Sequence, residues 1–135
     1  MKFDIRIIGY ITTFENFTGV HAKDCFFHDK ELVFIVDSIN LGRAVGKKGI
    51  NIKRLIAKMK HKIRVIGFDN DPTKFVQNIL YPLNGYEISR EDNKIIIKTP
   101  DNKLKGKIYG RERTNLKFIN ETLKRHFNTI EVVIA

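Results

Sequence analysis

A chain of 135 residues, 42% of them hydrophobic and 30% charged, can bury one ordinary core or two small ones and still present a water-compatible surface. No run approaches the roughly 18 apolar residues needed to cross a membrane, and the opening Met1-Lys2-Phe3-Asp4 lacks the apolar centre of a secretory signal. Cys25 is the single cysteine, which rules out an internal disulfide; together these features predict a cytoplasmic protein in a reducing compartment, with no membrane partner.

The net charge of +10 is unevenly placed. Residues 38–68 carry +9 and contain no Asp or Glu, residues 102–118 carry +5, and the rest of the chain is slightly acidic or neutral. Two confined blocks of positive charge point to a polyanionic partner rather than to an evenly solvated basic surface.

Taken in order, residues 3–18 place Ile7, Tyr10, Ile11, Phe14 and Phe17 on one helix face, with Gly19 as the stop. Residues 24–28 and 31–37 read as two strands around the tight turn Asp29-Lys30. A short apolar-patterned segment then leads into Gly46-Lys47-Lys48-Gly49, and a second helix follows with Ile52, Leu55, Ile56 and Met59 on its buried face. Residues 62–68 alternate polar and apolar as a half-buried strand should. The order is helix, strand, strand, helix, helix, strand.

The same order recurs in the second half. Asp71 and Pro72 supply an N-cap and a first helical position, and Phe75, Val76, Ile79 and Leu80 form the stripe. Residues 86–91 and 94–99 read as a second strand pair, followed by a short segment to Tyr109, the loop Gly110-Arg111-Glu112-Arg113, a helix to about His126 and a strand at 130–134. At an offset of 64, Gly46, Asn51, Ile52, Lys53, Leu55 and Met59 fall on Gly110, Asn115, Leu116, Lys117, Ile119 and Leu123. Shared Gly, Asn and Lys beyond the apolar stripe indicate an internal repeat.

The central loop has the chemistry of an anion site. Gly46 and Gly49 allow a sharp turn and put no Cβ between backbone and ligand, the start of the next helix offers amide groups and the positive end of its dipole, and Lys47, Lys48, Lys53 and Arg54 surround it. Several cations at that spacing suit a string of phosphates.

Val45-Gly46-Lys47-Lys48-Gly49-Ile50-Asn51-Ile52 resembles the signature of KH domains, with an aliphatic residue before Gly-x-x-Gly and another three positions after it. In that family the loop clamps the backbone of about four nucleotides of single-stranded RNA or DNA. The order of elements resembles the prokaryotic type II KH fold, so the fold class expected is α+β: two tandem type II KH domains, residues 1–69 and 70–135, each α-β-β-α-α-β with a three-stranded mixed sheet packed on helices. Such a pair is similar to the KH module of NusA transcription factors and, without further domains, to the small archaeal NusA-like proteins. Phe14-Glu15, Thr18-Gly19, Asp24-Cys25 and Arg125-His126-Phe127 add to that resemblance.

The resemblance implies a non-enzymatic single-stranded RNA-binding factor in transcription termination or antitermination, with RNA polymerase as a further partner and one continuous RNA surface. Charge and motif together assign RNA contacts to Gly42, Arg43, Val45, Gly46, Lys47, Lys48, Gly49, Asn51, Lys53, Arg54 and Arg64. In the second unit they fall on Lys105, Lys107, Gly110, Arg111, Arg113 and Lys117, beside Lys103. Ala44 and Ile52 are added as base contacts. Glu112 and Arg113 depart from the pattern, the second glycine being replaced. Two other readings share these residues: a ribosome-associated or ribosome-assembly KH protein, and an adaptor docking its basic face on polymerase.

Other chemistry fits less well. Gly42-Arg43-Ala44-Val45-Gly46-Lys47-Lys48 is one residue short of a nucleotide-binding P-loop between its glycines and has Lys48 where a Mg²⁺-binding Ser or Thr is required. His21, Cys25 and His28 could be metal ligands, yet Cys25 and His28 point to opposite faces of a strand. No cofactor, metal or small-molecule substrate is expected.

Overall fold

The computed structural model describes residues 5–135. The chain folds as two compact units, one ending at Phe68 and the other running from Asp69 to Ala135. The first unit contains α1 (Ile5–Thr18), β1 (Asp24–His28), β2 (Glu31–Asp37), α2 (Leu41–Val45), α3 (Ile50–Met59) and β3 (Lys62–Phe68). The second repeats the series as α4 (Pro72–Leu80), β4 (Glu87–Glu91), β5 (Lys94–Lys98), α5 (Asn102–Tyr109), α6 (Thr114–Lys124) and β6 (Glu131–Ile134). Phe3 and Asp4, the first two positions of the expected opening helix, lie outside the described residues.

Each unit holds one mixed three-stranded sheet. β1 and β2 form an antiparallel hairpin in which Cys25 faces Phe34, and β3 adds parallel to β2 with Leu32 beside Ile63. β4 and β5 pair antiparallel with Ile88 opposite Ile97, and β6 adds parallel to β5 with Ile95 beside Val132. Parallel neighbours need a crossover. In each unit the two helices flanking the glycine-containing loop supply it, so the loop sits in the middle of the connection that completes the sheet.

Burial explains why these elements form. Leu32, Phe34 and Val36 alternate onto one face of β2, where Phe14 of α1 stacks on Phe34 with ring centroids 4.2 Å apart, and Ala44 and Leu55 close the cluster from α2 and α3. Each such large apolar side chain, fully buried, contributes about 1.5–3 kcal/mol. In the second unit Ile95, Ile97, Ile108, Phe118, Ile119 and Leu123 are buried in the same manner, with Phe75, Val76, Ile79 and Leu80 from α4. Two residues expected on buried helix faces are not there: Ile56 of α3 is 39% exposed, and Phe17 of α1 is exposed to a similar degree. Phe17 is 42% exposed, because the buried line of α1 runs through Ile7, Phe14 and Thr18 and turns Phe17 outward. Phe127 is half-buried and touches Phe75 at 6.1 Å between centroids.

Candidate nucleic-acid interface

The loop between α2 and α3 owes its shape to three successive constraints. Gly46 ends α2 at φ 78°, ψ 168°, Lys48 takes φ 56°, ψ 27°, and Gly49 takes φ 73°, ψ 20°. Two backbone bonds hold the turn: the Gly46 amide donates to the Gly42 carbonyl at 2.9 Å, and the Gly49 amide to the Gly46 carbonyl at 3.0 Å. Lys47 and Lys48 are exposed at the tip, and Lys53 and Arg54 are exposed on α3.

The second loop has the same backbone despite its different residues. Gly110 stands at φ 72°, ψ 169°, Glu112 at φ 55°, ψ 30°, and Arg113 at φ 62°, ψ 20°. Replacing the second glycine by Arg113 therefore leaves the turn intact. Its side chain folds back, with the guanidinium carbon 5.6 Å from the centre of the Tyr109 ring. Arg111 and Lys117 stay exposed, and Lys107 and Lys105 lie on α5.

The described helices do not all start in the same way. The Asp71 carboxylate accepts the Thr73 amide at 2.9 Å at the start of α4, and the Asp101 carboxylate accepts the Lys103 and Leu104 amides at 2.9 and 3.3 Å at the start of α5. α3 and α6, the helices that leave the loops, have no side-chain cap, and neither has α2; the Ile50 and Thr114 amides that open α3 and α6 donate to the Lys47 and Arg111 carbonyls. Uncapped first-turn amides at the positive end of a helix dipole are the groups an anion takes.

Asn51 has a different place from the one its position suggests. Its side-chain amide turns inward and donates to the Arg43 carbonyl at 3.1 Å, tying the start of α3 to the end of α2. Asn115 repeats this in the second unit, donating to the Ile108 carbonyl at 3.0 Å and the Lys107 carbonyl at 3.4 Å. Both asparagines set the loop's width. Asn115 is absent from the expected contacts, although its match to Asn51 at the repeat offset marks it. Asn51→Ala is expected to cost about 1 kcal/mol of stability for the lost hydrogen bond, readable by urea denaturation, and to weaken RNA binding because the loop is no longer braced.

The remaining expected contacts divide. Gly42 is exposed, and Val45 and Ile52 are half-buried beside the loop. Ala44 is wholly buried in the core and is not available to a base. Arg43 donates to the Gly19 carbonyl at 2.9 Å, and Arg64 on β3 pairs with the Glu31 carboxylate at 3.0 Å. Those two cations are already engaged within the unit, whereas the lysines of the tip are exposed.

No family model matches the chain. It is 29% identical to a protein of Methanocaldococcus jannaschii named probable transcription termination protein NusA, an alignment covering 97% of this chain and 72% of that one. A protein of the same name from Thermoplasma acidophilum is 24% identical, covering 97% of this chain and 93% of that one. Over nearly its whole length the chain resembles archaeal proteins named NusA. It is also similar in structure to the crystal structure of APE1850, at a TM-score of 0.77 and 26% identity, covering 98% of this chain and 100% of that one. The names of these relatives place its kin among probable transcription termination proteins.

Several of the residues in the NusA-like resemblance build the joint that holds Arg43. The Thr18 hydroxyl donates to the Phe14 carbonyl at 2.8 Å and accepts the Val20 amide at 3.1 Å, and the Glu15 carboxylate accepts the Ala22 amide at 2.8 Å. Gly19 takes φ +68°, and a Cβ there would meet the Arg43 guanidinium at 3.0 Å. This end of α1 therefore fixes α2 from behind, through the Arg43 bond.

The other chemistries are not assembled. A helix, α2, precedes the first loop where a P-loop would need a strand. Cys25 is buried, the exposed His21 lies 3.0 Å from the Glu15 carboxylate, and among the described residues no group of three or more His, Cys, Asp or Glu could hold a metal ion. Among the described residues no helix is long and apolar enough to cross a membrane.

Proposed function

We propose that the chain is a single-stranded RNA-binding transcription factor of NusA type, made of two tandem type II KH units, residues 1–69 and 70–135, and taking part in termination or antitermination. The observation that carries this reading is the uncapped start of α3 beside an exposed Gly-Lys-Lys-Gly turn, in a chain that caps α4 and α5 with aspartates. A sugar-phosphate backbone laid along the turn would place phosphate oxygens near the positive end of the α3 dipole and against the ammonium groups of Lys47, Lys48 and Lys53. Bases would then turn toward Gly42, Val45 and Ile52.

Single-stranded nucleic acid fits this better than a duplex, because a flexible strand can follow a narrow turn and unstack its bases. The second loop carries the same backbone, with Arg111, Lys117 and the cations of α5 in reach of a strand, and Glu112 reduces its pull. RNA polymerase is the further partner of this reading, because termination, the process printed in the relatives' names, takes place on the transcribing enzyme.

Salt dependence tests the reading. Neutralising about five phosphates of a single strand predicts that log affinity falls against log salt with a slope of about −3.5. A flat salt response in filter-binding or anisotropy titrations would overturn it.

A further inference from the structure

The first unit carries a second cluster of cations, and this one surrounds aromatic rings. It lies past the C-terminal end of α3, a helix length of ~15 Å from the Gly-Lys-Lys-Gly turn, where the β1–β2 turn and the start of β3 meet α1. Tyr10, Phe27 and His61 pack edge to face, with centroids 5.8 Å apart for Tyr10 and Phe27, 5.5 Å for Tyr10 and His61, and 5.2 Å for Phe27 and His61. The Tyr10 hydroxyl and His61 Nε2 are 3.0 Å apart, which locks both rings. Phe27 and His61 then line an open cavity of about 680 Å³.

The rest of that cavity's wall is charged. Arg6 holds its guanidinium carbon 5.9 Å from the centre of the Phe27 ring, and Lys30, Lys60 and Lys62 complete the rim, with Asp29 the one acid among the described lining residues. Lys60 is set there by a left-handed backbone, φ 58°, at the helix end where glycine is usual. In the second unit the rings at the corresponding helix end, His126 and Phe127, pack on a wholly buried Phe75. Tyr10, Phe27 and His61 are half-buried like His126 and Phe127, and in the first unit cations surround them.

We propose that this cavity binds a nucleotide monophosphate, with the base against the flat surface made by Phe27 and the Arg6 guanidinium and the phosphate between Lys30, Lys60 and Lys62. Aromatic and guanidinium faces both stack bases, and the volume is that of a small-molecule site. A carboxylate-bearing peptide would use the cations and leave the rings idle, so the combination favours a nucleotide. The nucleotide is either free or the phosphorylated end of an RNA strand; the chemistry is the same, and the site is separate from the loop.

The test uses the full chain with uridine 5′-monophosphate and, separately, 5′-phosphorylated hexauridylate, followed by NMR shifts of the Phe27 and His61 ring protons. The expected result is saturable movement of both rings, weakened at least tenfold by Lys30→Glu with Lys62→Glu and, for the mononucleotide, unchanged by Lys47→Asp with Lys48→Asp. Movement with the mononucleotide assigns a free nucleotide, movement with the hexamer alone assigns a strand end, and movement with neither overturns the site. Ring movement that survives the Lys30 and Lys62 reversal, or mononucleotide binding that vanishes with the Lys47 and Lys48 reversal, also overturns it. So does inorganic phosphate bound as tightly as the nucleotide, since the rings would then contribute nothing. Loss of RNA affinity through the loop is measured independently, so either site can fail without the other.

Discussion

Lys47→Asp combined with Lys48→Asp is expected to reduce affinity for single-stranded RNA by about 100-fold at moderate salt, with the thermal transition unchanged. Both side chains are exposed at the tip of the first loop and lie outside the core, so the substitutions remove charge without removing packing. Reversing two cations also turns their attraction for phosphate into repulsion, and the slope of affinity against salt should become shallower by about 0.7 for each phosphate released. Fluorescence anisotropy at three salt concentrations reads both effects. Affinity that stays within twofold of the parent chain would remove the loop from the binding surface.

The second large effect separates the two glycines of the motif, which the structure shows to have different work. A Cβ on Gly46 would stand 2.9 Å from the Asn51 side chain, and one on Gly110 would stand 2.6 Å from Asn115 Cβ and 2.7 Å from its backbone nitrogen. Both glycines also have a positive φ with an extended ψ, a combination almost closed to L side chains. Gly110→Ala is therefore expected to cost about 3 kcal/mol, and Gly46→Ala somewhat less, because its nearest neighbours are side-chain atoms that can shift. Gly49 differs. A Cβ there meets nothing within 4 Å, and its φ and ψ lie in the left-handed region that Arg113 occupies in the second loop. Gly49→Ala should cost only about 1 kcal/mol while still hindering a strand laid across the turn. Chemical denaturation of the three variants, with RNA affinity measured beside it, checks the order. Equal losses of stability at Gly46 and Gly49 would contradict it.

Much of this was legible in the sequence, for reasons that can be named. The apolar stripes of α3 and α4, the Asp71-Pro72 start and the alternation of β3 are signals local to a few residues, and the structure carries the elements they predict. The charge of the loop could be read because no acid interrupts residues 38–68. What could not be read depends on neighbours distant in the chain. Asn51 looks like a ligand residue until the Arg43 carbonyl is seen within its reach. Arg64 looks like a free cation until β2 brings Glu31 beside it. Phe17 fits the stripe of α1 by spacing alone, and only the packed helix shows that its buried line passes through Ile7, Phe14 and Thr18 instead. The ring cluster at the far end of α3 draws on α1, β1 and the start of β3, three segments with no shared pattern.

Because the turn lies inside the crossover from β2 to β3, one sheet sets both of its ends: β2 fixes where the chain leaves for α2, and β3 fixes where it must return after α3. A residue added to the turn or removed from it would therefore be felt twice, as an altered loop and as a pull on the register of β3 against β2.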